Sequence, residues 1–199
     1  WGRYVRLLRK DFELPAMCEP ILYTYADPPT PLSIAPRAPL RFFTTRPHGP
    51  DGWQGIAQPD GSLLIDGQRW PELFWEGRSL WFRAPEEGVV VGVPELETYL
   101  RLALAAQGLT PRESAGFLNA WLPALTEAAP VRIAFHEAET IDALAPLDVT
   151  PSPDVFLRVL MDAAPASTPP DWDGRPPVFA PPPEREGLVV VEWGGLLRE

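Results

Sequence analysis

The amino-acid sequence predicts an α+β domain, a mainly antiparallel β-sandwich of about ten short strands with one inserted helical hairpin at about residues 94–126. Three observations predict it. Short alternating or apolar runs recur from residue 20 to residue 76 and again from 131 to 193, punctuated by turn-forming residues. One window between them, residues 94–126, carries helical spacing and helix-capping chemistry. Proline occurs 27 times in 199 residues, and because each lacks a backbone donor and fixes φ, long helices are confined to the few proline-poor windows.

Taken in order, residues 1–8 (WGRYVRLL) already alternate like a strand. Residues 20–25 (PILYTY) put Ile21, Tyr23 and Tyr25 on one face and Leu22 and Thr24 on the other, and Asp27-Pro28-Pro29 stops the strand. Shorter runs follow at 32–35 and 40–45. Residues 53–58, 62–65 and 68–76, joined by Pro59-Asp60-Gly61 and Asp66-Gly67, read as a three-stranded meander, since Asp-Gly supplies the positive φ that tight hairpins need. Gly88 to Gly92 (GVVVG) reads as a fully buried strand. Residues 94–107 have Glu95 and Glu97 in the first turn, an apolar stripe of Leu96, Tyr99, Leu100 and Ala103, and Gly108 just past the end. Thr110-Pro111-Arg112-Glu113 fits a capping box for a second helix ending near Pro123. Strands return at 131–137, 155–161 and 188–193, and the proline-rich residues 163–183 read as an extended surface connection. The whole of 1–199 is expected to form one domain.

Composition narrows the function classes. Acidic residues outnumber basic ones 27 to 17, a net charge of -10, so the surface field repels nucleic-acid backbones and anionic lipid, and no nucleic-acid partner is expected. No window reaches 18 consecutive apolar residues, so no transmembrane helix is expected. Cys18 is the only cysteine, which excludes an intramolecular disulfide and any Cys-rich metal site. The chain starts at Trp1; a removed export signal would account for that, as would trimming, and the cell envelope or the outside of the cell is favoured over the cytoplasm. No nucleophile elbow, phosphate loop or dinucleotide fingerprint occurs, and no cofactor is implied.

Only His48 and His136 are present, so an all-histidine zinc site cannot form, and in a strand His136 faces away from Glu137 and Glu139; no metal site is expected. Asp171-Trp172-Asp173-Gly174 resembles the start of a calcium loop but lacks the later ligands. The candidate chemistry lies in two motifs, Phe74-Trp75-Glu76-Gly77 and Val191-Glu192-Trp193-Gly194-Gly195. In each, alternation sets the glutamate on the face opposite its tryptophan. Glu76 and Glu192 could form a carboxylate pair of the glycoside-hydrolase kind, which requires both in one cleft about 5 to 10 Å apart. Alternatively each is buried against an arginine, with Arg41, Arg69, Arg78 and Arg158 as possible partners. Trp53, Trp75, Trp193 and His136 are the candidate ligand contacts, since tryptophan stacks on flat ligands and sugar rings.

The segments Pro20 to Tyr25 (PILYTY), Gly52-Trp53 with Pro59-Asp60-Gly61, Leu73 to Gly77 (LFWEG), Gly108-Leu109-Thr110 leading to Trp121-Leu122-Pro123, and Val190 to Gly195 (VVEWGG) resemble, in order, the signature blocks of an uncharacterised protein family of bacteria and fungi. The resemblance spans roughly residues 18–195 and implies no activity, because none is assigned to that family. Glu19, Ala26-Asp27 and Glu72 depart from the usual blocks, where a lysine, a proline with an acid, and a tyrosine are common. The leading expectation is a non-catalytic β-sandwich domain that binds a protein or glycan partner, and the alternative is a hydrolase using Glu76 and Glu192. A third expectation is a structural part of a larger assembly, with residues 1–8 as a strand seeking a partner sheet.

Overall fold

A computed structural model describes residues 16–78, 83–166 and 175–198. Seven strands come first: β1 (Ala16–Tyr25), β2 (Thr30–Pro36), β3 (Arg41–Arg46), β4 (Trp53–Ala57), β5 (Leu63–Ile65), β6 (Gln68–Trp70) and β7 (Leu73–Arg78). β8 (Val89–Val91) leads into α1 (Val93–Ala106) and α2 (Pro111–Ala128). The chain continues through β9 (Val131–His136), α3 (Ala138–Leu144), β10 (Leu147–Thr150), β11 (Val155–Pro165) and β12 (Val189–Leu197). The strand expected at residues 1–8 and the loop at Asp171 to Gly174 lie outside the described residues.

The strands form two sheets, a seven-stranded one in the order β3-β7-β1-β12-β11-β9-β8 and a five-stranded one in the order β10-β2-β4-β5-β6. Pairing is antiparallel except between β11 and β12. The larger sheet is the middle layer. One face packs under α1 and α2, where Ile21, Phe135, Val159, Met161, Val191 and Trp193 meet Leu100, Phe117 and Trp121. The other face packs on the smaller sheet and α3, where Leu22, Trp75, Leu160 and Val190 meet Ile34, Trp53, Leu63 and Ile141. This is the expected α+β sandwich, with twelve strands and a third helix.

Local chemistry explains most elements. Asp66 and Gly67 carry φ of 50° and 79°, so the tight β5–β6 turn has the two positive dihedrals that Asp-Gly supplies. Thr110 receives the Glu113 N–H while the Glu113 carboxylate accepts from the Thr110 N–H, completing the capping box. Gly108, at φ 91°, turns the chain between the helices.

Several expectations need correction. Residues 68–76 are two strands: Pro71 has no N–H to continue a ladder, and the chain crosses there from the smaller sheet to the larger one. The valine run at 89–91 is an edge strand with Val90 42% exposed, because β9 pairs with it on one side only among the described residues. α2 continues past Pro123 to Ala128, since its apolar side, including Leu125, stays buried after the lost hydrogen bond. β11 runs to Pro165, four residues beyond the expected end at Met161, paired by β9 and β12 on both sides.

Candidate functional site

Along β12 and its neighbours, alternation assigns Val191 and Trp193 to the helix side and Val190 and Glu192 to the sandwich side. Cross-strand register then sets Glu192 opposite Leu22 of β1 and opposite Arg158 of β11. The Glu192 side chain is 3% exposed. Its Oε1 accepts the Trp75 indole N–H at 3.0 Å and its Oε2 accepts Arg158 Nε at 2.7 Å, with Nη2 2.5 Å from the same oxygen. The rest of the guanidinium is held by α3: Nη1 donates to Asp142 Oδ1 at 2.9 Å and Nη2 to the Ala145 carbonyl at 2.9 Å. A cation at the carbonyl end of a short helix is favoured by the helix dipole as well as by the hydrogen bond. Arg158 is one of the four arginines the sequence offers as a partner.

Glu76 lies elsewhere. Register against β1 sets Glu192 in the row of Leu22 and Leu73, and Trp193 in the row of Ile21 and Phe74, so the two motifs meet the sheet in opposite phase. Trp75 therefore shares the sandwich side with Glu192, while Glu76 shares the helix side with Phe74. Glu76 is half-buried and pairs in register with Thr44 of β3. The larger sheet separates the two carboxylates, and the structure does not bring them into one cleft.

A second charged cluster shares the sandwich side. His136 Nε2 lies 2.9 Å from Asp162 Oδ2, and Arg198 holds both oxygens, Nε to Oδ1 at 2.7 Å and Nη2 to Oδ2 at 2.6 Å. Arg132, 1% exposed, directs Nη2 to the Pro85 and Glu87 carbonyls and Nη1 to within 4.0 Å of Asp162 Oδ1. Burial alone raises the Asp162 carboxyl; the hydrogen bonds from His136 and Arg198 outweigh it and hold the carboxyl below the ordinary range. β9 ends at His136, and Glu137 stands at the N-terminal boundary of α3 without a side-chain cap, so the histidine and the acids that follow it belong to different elements. No group of three metal-ligating side chains occurs among the described residues.

The third cluster lies at the junction of the helices. Glu113 is fully buried and accepts from Tyr25 Oη at 2.7 Å, from Arg185 through Nη1 at 2.8 Å and Nη2 at 2.7 Å, and from the Thr110 N–H at 2.7 Å. Burial raises its carboxyl, and these donors more than reverse the effect. Arg185 also donates to the Gly108 carbonyl at 2.6 Å, which ties the proline-rich connection to the helical turn. Arg112 projects from the same turn over the Tyr23 ring and donates to the Asp60 and Pro71 carbonyls, joining α2 to both sheets.

The tryptophans proposed as ligand contacts are core residues: Trp53 is 4%, Trp75 0% and Trp193 2% exposed, and His136 is buried with them. Phe42 stacks on Trp75 at 4.8 Å between ring centroids and lies 5.4 Å from Trp53, while Phe117 meets Trp193 edge-on. The surface clefts on the described residues include two that can be placed in the fold. One, of about 400 Å³, is lined by Pro39, Arg41, Phe42 and Phe43; the other, of about 310 Å³, lies among Ala26, Asp27, Thr30, Ser152, Asp154 and Gly187. Sequence reasoning missed Asp162 because it placed the strand end one residue earlier. It found Glu113 only as a helix cap, since its second partner lies 72 residues away. No helix among the described residues is long and apolar enough to cross a membrane. No protein-family model matches the chain, no curated protein matches it, and no solved structure matches it.

Proposed function

We propose that the protein is a non-catalytic binding domain whose partner is a protein or a glycan. The observation that supports this reading is the engagement of Glu192. A catalytic carboxylate must meet substrate, whereas both oxygens of Glu192 are occupied by Arg158 and Trp75 in the interior of the sandwich. The hydrolase alternative needs Glu192 to leave those donors and to act through a sheet from Glu76. Breaking a buried ion pair costs about 3 to 5 kcal/mol, a barrier that a substrate would have to repay before any chemistry.

The test sets the purified chain against a panel of chromogenic glycosides and esters, and in parallel against immobilised glycans and peptides. Saturable binding without turnover is the expected result. Turnover that disappears in Glu76→Gln, with the fold retained by circular dichroism, would overturn the binding reading in favour of the hydrolase.

A further inference from the structure

We propose that the proline-rich connection is the docking segment of this binding domain. Over residues 178–186 it presents a polyproline II rod whose two outward edges fit a protein groove walled by tryptophan and tyrosine and ending in basic residues. The inference rests on the binding-domain reading and adds to it the segment and the partner's chemistry. The conformation is set locally. Pro176, Pro177, Pro181, Pro182 and Pro183 each fix φ at about −65°, and the residue before a proline is kept out of the helical region. Ala180 to Pro183 are thereby restricted to the polyproline II form, and residues 175–186 lie outside every helix, strand and turn.

Polyproline II repeats every three residues, so positions 179, 182 and 185 share one edge of a triangular rod. Positions 178, 181 and 184 form the second edge, and 180, 183 and 186 the third. The contacts follow that period. Phe179 meets Phe135 edge-on at 5.5 Å between ring centroids. Pro182 lies against the helical turn, where a Cβ at Gly108 would come within 2.6 Å of it. Arg185 grips the buried Glu113 through hydrogen bonds of 2.8 and 2.7 Å and donates to the Gly108 carbonyl at 2.6 Å. One edge is thus fastened to the body of the domain. On the other two, Val178 is 86% exposed, and Ala180, Pro181, Pro183, Glu184 and Glu186 are exposed as well. Each outward edge therefore carries two apolar residues and then an acid. Flat aromatic rings pack against proline ridges of this kind, and a lysine or arginine at the far end of the groove would pair with Glu184 and Glu186. The rod spans about 25 Å at about 3.1 Å per residue. Being fastened at three points, it is ordered before it binds, which lowers the entropy cost of association. A second copy of this chain is a poor occupant, since Trp53, Trp75, Trp121 and Trp193 are buried and none of them can wall a groove.

The experiment titrates the intact chain into a panel of isolated WW and SH3 domains, which carry aromatic grooves, half of them with basic rims and half with acidic rims. The parent is compared with Pro181→Asp and Pro183→Asp, one on each outward edge, with Glu184→Lys, and with Leu102→Asp on the exposed side of α1. All four substitutions are at exposed positions and are expected to leave the melting temperature unchanged. The expected result is saturable binding by basic-rimmed domains, a loss of about tenfold or more on either proline substitution, and no change on Leu102→Asp. Glu184→Lys should weaken binding to basic rims and strengthen it to acidic ones. Binding that survives both proline substitutions would overturn the assignment of this segment and leave the binding-domain reading standing. No binding by any member of the panel, or a dimer of the chain that Pro181→Asp dissolves, would also overturn it. Hydrolytic turnover in the companion assay would remove the binding-domain reading itself.

Discussion

The two faces of the seven-stranded sheet are built from the same strands and solve burial in opposite ways. Under α1 and α2 the facing residues are apolar or aromatic, and the contacts are ring against ring and methyl against ring. Toward the smaller sheet the same strands contribute Arg132, His136, Arg158, Asp162 and Glu192, all of them buried. Apolar burial is non-directional and tolerates exchange of similar shapes, but a buried charge requires a specific partner at hydrogen-bond distance. The helix face therefore supplies bulk stability, whereas the sandwich face fixes which strand lies beside which. Several of these polar partnerships join elements that are distant in sequence: Trp75 with Glu192, Asp142 with Arg158, and His136 with Asp162.

The largest expected effect breaks the sandwich face. Arg158→Met leaves Glu192 buried without its cation and should cost about 3 to 5 kcal/mol in chemical denaturation. Next comes a pair of adjacent glycines that read the two faces separately. A Cβ at Gly195 would lie 2.8 Å from the Trp121 ring on the helix side, so Gly195→Ala should cost about 1 to 3 kcal/mol. The atoms nearest a Cβ at Gly194 are those of Pro20, at 3.3 Å or more, and Gly194→Ala should cost visibly less in the same assay. Equal costs would show that packing is no tighter on the helix side.

Acid should weaken both faces. Asp162 and Glu113 both titrate below their ordinary values of 3.8 and 4.5 in the folded chain, so the unfolded chain takes up protons first as pH falls. Their contribution is complete at neutral pH and is lost progressively from about those ordinary values downward. Denaturant midpoints followed from about pH 6 to about pH 3 should fall, and Asp162→Asn should flatten the fall. The smallest effect is expected at Glu76→Gln, a half-buried position outside these networks, within about 0.5 kcal/mol of the parent.

Much of this arrangement was legible in the sequence, and the limits have physical causes. The three-stranded turn of chain β4–β5–β6, the capping box and the helical hairpin follow from signals local in sequence and occur in the structure, with the third expected strand split at Pro71 and the second helix running on to Ala128. α3 and β10 escaped notice because a helix of seven residues and a strand of four carry too few residues to show a period. The break at Pro71 was written in the sequence, but the change of sheet that follows it was not, since strand order is a non-local property. For the site, alternation correctly opposed each glutamate to its neighbouring tryptophan. It could not say which face each glutamate takes, because that depends on the registers of β7 and β12 against β1. The exposed Phe43 was hidden in an apolar pair whose other member, Phe42, is core.

Glu192 is held as the structural partner of Arg158, and a double-mutant cycle measures that dependence. Arg158→Met, Glu192→Leu and the double variant are compared with the parent by chemical denaturation. Strong coupling is expected: the double variant, with both charges replaced by apolar groups, should be more stable than Arg158→Met alone. Additive costs would contradict it, since they would mean that the two side chains do not depend on each other.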